Sequence, residues 1–198
     1  MTAFAARYDV NDPEFLRAQV YALLGRLLMA PPDAALLDAL AAVPPDPSPL
    51  GDALGALGEA AAATTPTTAE SEYNALFIGV TRGEVVPYAS YYRTGFLNDR
   101  PLAEVRADMA TLGLSRAPGV PEPEDHLGAL CQMMAVLIAQ DLPLGAQKTF
   151  FDRHIVPWGG LAFADIEKAP SAALYRPVGG IGRLLLTIEE DAFVLQGG

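Results

Sequence analysis

The residues best placed to do chemistry are Glu122, Glu124, Asp125 and His126, which stand in one run, Glu122-Pro123-Glu124-Asp125-His126-Leu127. Three carboxylates beside one of the chain's two histidines put several acceptors and a titratable ring within a few residues. After them Leu127, Leu130, Cys131, Met134, Leu137 and Ile138 recur three and four apart, the period of a helix with one apolar face. The acidic run is therefore expected at the mouth of a buried helix. Two readings follow. Carboxylates in a first helical turn cap free N–H groups and complement the dipole, and Pro123 suits a helix start. The same groups also make a binding site.

As an acid/base pair, Asp125 and His126 would serve a small hydrolase, yet neither a nucleophile elbow nor a phosphate-cradling glycine loop accompanies them. A metal site is not expected, because one histidine flanked by carboxylates lacks a second nitrogen or sulfur ligand at helical spacing. No cofactor is expected either. Cys131 has no cysteine to pair with and lies on the apolar face, so it reads as a small buried hydrophobe.

Helices must position these residues. The chain of 198 residues is 51% hydrophobic and 19% charged, enough for one domain with a substantial core. Its 24 acidic against 13 basic residues, a net charge of -11, exclude nucleic acid as a natural partner and favour cationic ones. No apolar stretch approaches the roughly 20 residues that span a bilayer, and a secretory n-region and h-region are missing from the sequence. A cytoplasmic protein without stable membrane insertion is expected.

Proline and capping residues divide the chain into an all-α pattern. Asp12 and Pro13 open a helix with Leu16, Val20, Leu23 and Leu27 as its stripe, closed by Pro31-Pro32. Asp33 starts an Ala/Leu helix to about Val43, and Ser48-Pro49 a third. Thr67 with Glu70 forms a capping box before Tyr73, Leu76 and Phe77, and Gly79 closes that helix. Another runs from about Pro101 to Gly113 with Leu102, Val105, Met109 and Leu112 inward. Beyond 122 come a helix after Pro123, helices around 147–155 and 161–166, and a last one with Ile181, Leu184, Leu185 and Ile188 that begins late or bends at Pro177 and Gly179-Gly180. His154 before Pro157-Trp158 reads as a structural residue closing its helix.

Two segments break the helical period. Residues 80–98 hold Val85-Val86-Pro87-Tyr88-Ala89-Ser90-Tyr91-Tyr92, an aromatic stretch suited either to a buried lid or to the wall of a peptide-binding groove. Residues 115–121 form a Pro/Gly linker, a candidate hinge between an N-terminal helical group (about 12–114) and a C-terminal one (about 122–195) of a single domain spanning 1–198. Either a monomer or a dimer that exchanges its C-terminal helices across that hinge is compatible with this arrangement.

Three stretches together resemble the TorD/DmsD family of cytoplasmic molybdoenzyme chaperones, the redox enzyme maturation proteins. They are Tyr73-Asn74-Ala75-Leu76-Phe77-Ile78-Gly79 leading to Pro87-Tyr88-Ala89-Ser90-Tyr91-Tyr92, the Glu122 to Leu127 run, and Phe151-Asp152-Arg153-His154-Ile155-Val156-Pro157-Trp158. Where many members carry aromatics at the end of the first helix, this chain has Leu28-Met29. The resemblance implies an all-helical bundle and a non-enzymatic role: binding the precursor of a molybdopterin-dependent oxidoreductase, through its twin-arginine signal peptide, until the cofactor is inserted. A client without an export leader is the alternative within the family. The family's leader-binding region maps onto Asp125 and His126, and onto Pro87, Tyr88 and Ser90, with Glu122, Tyr73 and Phe77 as extensions. The residue chemistry fits: Glu122, Glu124 and Asp125 suit guanidinium groups, and Tyr88, Tyr91 and Phe77 an apolar segment.

Overall fold

The structure, a computed structural model, describes residues 12–196. Residues 1–11 and 197–198 lie outside the described residues, and with them the part of the targeting-segment expectation that falls on the first residues.

Every named element is helical: α1 Pro13–Met29, α2 Ala34–Ala41, α3 Pro49–Ala62, α4 Pro66–Tyr73 running into a π-helical turn Asn74–Ile78, α5 Ala89–Thr94, α6 Arg100–Leu112, α7 Leu127–Ala139, α8 Leu144–His154, α9 Gly159–Lys168 and α10 Tyr175–Gln196. The all-α expectation therefore holds. Among the described residues no helix is long and apolar enough to cross a membrane.

The starts follow the local chemistry of free N–H groups. Asp12 accepts the N–H of Glu14 at 2.8 Å, Asp33 that of Leu36 at 2.9 Å, and Ser48 that of Gly51 at 3.0 Å. The expected capping box at Thr67 and Glu70 is corrected to Thr65 and Thr68, whose side chains take each other's backbone N–H at 3.2 and 2.9 Å. Pro66 explains the shift, because a proline fixed at the first helical position makes the residue before it the cap. Two further corrections concern faces and gaps. Leu16 is 49% exposed and Leu23 half-buried, while Val20 and Leu27 of the expected stripe are buried together with Tyr21, Leu24 and Leu28. The segment 80–98, expected to lack helix, holds the short α5.

The chain divides into two compact units, each drawing on both halves of the sequence. The first combines residues up to Met29 with Tyr88–Pro157, and the second combines Ala30–Pro87 with the chain from Trp158 onward. The stretch 115–121 lies inside the first unit, so the units do not follow the 12–114 and 122–195 groups.

In the first unit α1 packs on α7. Their axes come close at Gly25 and Gly128: a Cβ at Gly25 would stand 3.0 Å from the Gly128 carbonyl oxygen, and one at Gly128 would stand 3.2 Å from that of Gly25. With backbone against backbone there, Tyr21 and Leu24 share a core with Leu127, Leu130, Met134, Phe150 and Phe151. Cys131 is buried in α7, and burial pushes its thiol up to about 12. It packs as a neutral hydrophobe.

In the second unit α9 packs on α10, and α3 on both α2 and α10. The start of α10 is capped from a distance: the Glu72 carboxylate of α4 accepts the N–H groups of Ala173, Leu174 and Tyr175 at 2.8, 3.1 and 2.8 Å. Pro177 neither delays nor breaks this helix, contrary to the expectation, because it sits in the first turn where an N–H has no intrahelical partner. Gly182 has a packing reason, since a Cβ there would stand 2.2 to 2.5 Å from ring atoms of Phe163 in α9, whereas Gly180 faces nothing within 4 Å.

These two glycines predict opposite outcomes. Gly182→Ala should destabilise by about 1 to 3 kcal/mol through overpacking, and Gly180→Ala should stabilise by about 0.5 to 1 kcal/mol by removing glycine from a helix interior. Urea unfolding of both variants checks this, and equal shifts would refute the packing account.

Candidate functional site

The acidic run is not part of α7. That helix begins at Leu127, and His126 is its N-cap, the Nδ1 atom accepting the Gly128 N–H at 3.0 Å. Glu124 and Asp125 form a turn before it, in which the His126 N–H donates to the Pro123 carbonyl at 3.1 Å. Pro123 supplies part of the reason for this correction, since it disfavours helix for Glu122 before it. The histidine ring itself takes the capping role that sequence reasoning gave to carboxylates. With Nδ1 accepting, the ring is neutral and its proton sits on Nε2. Only 2% of His126 is exposed, and burial lowers its pKa to about 4.

Asp125 joins this turn to the aromatic loop. It is 1% exposed; its Oδ2 accepts the backbone N–H of Ser90 at 2.8 Å and the Ser90 hydroxyl at 2.5 Å, and its main-chain oxygen accepts the Ala89 N–H at 2.9 Å. These donors open α5, which has no cap of its own, so Asp125 caps it from 35 residues away. Ser90 Oγ in turn accepts the Asp99 N–H at 3.2 Å. Tyr88 and His126 form an isolated antiparallel bridge, their rings 4.9 Å apart and nearly perpendicular. The Tyr88 hydroxyl donates to Glu122.

The third carboxylate has a different fate. Glu124 is nearly buried, and its Oε2 takes Arg106 through Nε at 2.9 Å and Nη2 at 2.8 Å. Its Oε1 faces Arg116 Nε at 3.6 Å.

Tyr88, Ser90, Glu122, Asp125 and His126 are thus brought together in the first unit. Tyr73 and Phe77 belong to the second unit, where their rings pack 5.1 Å apart and on Tyr175 at 6.1 and 5.3 Å. Pro87 is buried and is the residue at which that unit gives way to Tyr88. Tyr91 stacks edge-on against Tyr92 at 5.8 Å. His154 ends α8 as expected, with Nε2 2.6 Å from Asp108 and its ring on Phe150; burial lowers its pKa, and the Asp108 hydrogen bond opposes that shift.

Sequence reasoning missed a pocket of about 340 Å³ in the first unit. Met29, Met109, Met133, Leu114, Val120 and Val136 line it, with Glu122, Glu124, Arg116 and Gln132 as its polar groups. The expected linker, residues 115–121, supplies part of this lining. Only the Leu28-Met29 departure hinted at it, and the three methionines come from segments too distant in sequence to be linked by pattern.

Residues 44–164 match the family described as nitrate reductase delta subunit. The chaperone protein TorD of Vibrio cholerae serotype O1 (strain O395) is 31% identical over 94 residues, covering 42% of this chain and 43% of the relative. TorD of Photobacterium profundum is 31% identical over 72 residues, 35% of this chain and 33% of the relative. The matched stretches thus span less than half the length of these curated relatives. A solved structure described as a redox enzyme maturation protein, from Archaeoglobus fulgidus, aligns with a TM-score of 0.60 at 17% identity over 91% of this chain and 98% of that one, a likeness of fold.

The buried cap predicts a pH dependence. A neutral His126 with pKa about 4 folded and the ordinary 6.5 unfolded binds fewer protons in the folded state between those values. Its contribution is therefore full above pH 6.5 and is lost as pH falls towards 4. Denaturation of His126→Asn, which keeps a capping side chain, should show a loss from pH 7.5 to 4.5 smaller than that of the parent protein by about 2 to 3 kcal/mol. Parallel profiles would mean that His126 is not held neutral.

Proposed function

The chain belongs to the nitrate reductase delta subunit family, in which the TorD chaperones of redox enzymes fall, and from that premise we propose that it is a cytoplasmic chaperone for an immature molybdoenzyme. It holds the precursor through a twin-arginine signal peptide while the cofactor is inserted, and releases it for export. The observation that carries this reading is the pair Tyr88 and Glu122, partly exposed and hydrogen-bonded to each other, set by a buried frame at the edge of an apolar pocket. A twin-arginine leader offers two guanidinium groups followed by an apolar segment, and such a ligand needs a carboxylate for bidentate pairing beside an apolar surface.

Within this reading Glu122 and Tyr88 touch the leader. Asp125, His126 and Ser90 are positioning residues, because the hydrogen bonds of Asp125 Oδ2, Ser90 Oγ and His126 Nδ1 go to each other and to backbone groups.

The same geometry weighs against a hydrolase. Ser90, Asp125 and His126 superficially supply the residue types of a triad, but the Ser90 hydroxyl donates to Asp125 and the accepting nitrogen of His126 is taken by Gly128. The hydroxyl faces a carboxylate and not an imidazole, so the serine–histidine pair of a triad is not formed.

Calorimetric titration with synthetic leaders tests the proposal. The Arg-Arg leader should bind; Lys-Lys should bind about two- to fivefold more weakly, and Gln-Gln more weakly still, because lysine keeps charge but loses the planar fork. Glu122→Gln should narrow the difference between Arg-Arg and Gln-Gln. Equal affinity for all three leaders, or none for any, would remove the leader from the proposal.

A further inference from the structure

We infer that the methionine-lined pocket of the first unit is the subsite for an apolar peptide segment bearing an arginine, and that Arg116 occupies the cation position of that subsite when no client is bound. This rests on the leader-binding reading and adds where the peptide sits and what it displaces.

The lining argues for the peptide part. Met29, Met109 and Met133 converge from α1, α6 and α7, and unbranched thioether side chains adjust to varied apolar partners. A volume of about 340 Å³ lies at the small end of ligand pockets, room for a few side chains and too little for a large cofactor. Phosphate groups are disfavoured by the two carboxylates on the lining, Glu122 and Glu124.

Charge argues for the arginine. Glu124 has two cationic neighbours that differ in quality. Arg106 makes two close contacts to Oε2, at 2.8 and 2.9 Å. Arg116 stands 3.6 Å from Oε1, beyond hydrogen-bond length, with its side chain 44% exposed. It is carried on the stretch after α6, where Gly113 and Gly119 have φ of 70° and 79° and backbone bonds are sparse, Leu114 N–H to Met109 at 2.9 Å and Val120 N–H to Ala117 at 3.4 Å. A segment with so few backbone bonds opens at low cost. Arg106 and Arg116 together balance the formal charges of Glu122 and Glu124; with Arg116 turned away the group keeps one net negative charge, and Oε1 of Glu124 is open to a donor on the methionine-lined pocket. A client guanidinium can take that oxygen at hydrogen-bond length while its apolar neighbours enter the pocket.

The test uses full-length protein with methyl-labelled methionine and three probes: the Arg-Arg leader, the short amidated peptide Arg-Phe-Leu-Leu, and the same short peptide with citrulline, which has the shape of arginine without its charge. Methyl signals of Met29, Met109 and Met133 should move on titration with the arginine peptide, and that of Met134, buried in the core, should stay. Arg116→Ala should bind this peptide about two- to fivefold more tightly, the scale of removing a partly exposed competing ion pair. Citrulline should bind more weakly than arginine to both proteins. Val136→Arg, at a half-exposed wall position that leaves the core intact, should weaken binding by about tenfold or more by placing a fixed cation and bulk at the pocket. If the leader binds while the three pocket methyls stay still, or if Arg116→Ala fails to tighten binding, the subsite is refuted and the leader-binding reading stands. If the short peptide moves those methyls and the leader does not bind, the subsite holds and the leader-binding reading falls. No response to any probe overturns both.

Discussion

The first unit depends on one buried carboxylate. Burying a polar group is costly unless donors meet it; Asp125 takes the Ser90 hydroxyl and N–H on Oδ2 and the Ala89 N–H on its main-chain oxygen, while its Oδ1 is buried without a hydrogen-bond partner. The donors lie about 35 residues earlier in the chain, so satisfying the charge forces the aromatic loop against the start of α7. Everything exposed nearby follows from that junction: the Tyr88–His126 bridge, the Tyr88 hydroxyl on Glu122, and through Glu122 one edge of the methionine pocket. A neutral side chain of the same shape would leave fewer charge-assisted bonds to hold two helix starts together.

Local chemistry was legible and distant pairing was not. Asp12, Asp33, Ser48 and the prolines mark helix starts because a cap and its N–H are two or three residues apart. The same logic failed at Thr65 by two residues and at Pro177, where a proline read as a breaker is harmless in a first turn capped by Glu72 from α4. The period of α7 was plain because the helix is buried along one face, whereas the stripe read for α1 holds at Val20 and Leu27 and fails at Leu16. Apolar residues there exceed what a single stripe needs, and the close approach at Gly25 selects which of them turn inward.

The candidate site shows the same division. Read along the chain, Glu122, Glu124 and Asp125 are three equivalent acids at a helix mouth. In space each has its own fate, set by partners that spacing cannot reveal: a tyrosine hydroxyl for Glu122, two arginines for Glu124, and a serine for Asp125. Glu122 keeps the most exposure of the three, and Glu124 reaches the pocket through the oxygen that Arg116 faces. The methionines at 29, 109 and 133 were invisible for a related reason, since Met133 adjoins the core residue Met134 and nothing in a one-dimensional pattern separates the pocket face from the buried one.

A receptor for cationic, apolar segments faces a conflict between binding and its own stability. A low-dielectric pocket strengthens the attraction of a carboxylate for a guanidinium, and for the same reason an unmatched carboxylate there destabilises the empty protein. The two arginines around Glu124 resolve this unequally: Arg106 holds one oxygen closely, and Arg116 faces the other from a distance at which a better-placed donor can replace it. On the proposed reading, the net charge of -11 would draw cationic segments in without discriminating among them. Discrimination would then fall to the exchange at Glu124, where a ligand must offer both a guanidinium that outcompetes Arg116 and side chains that fill the methionine-lined space, so that charge alone or hydrophobicity alone would leave the resident arginine in place.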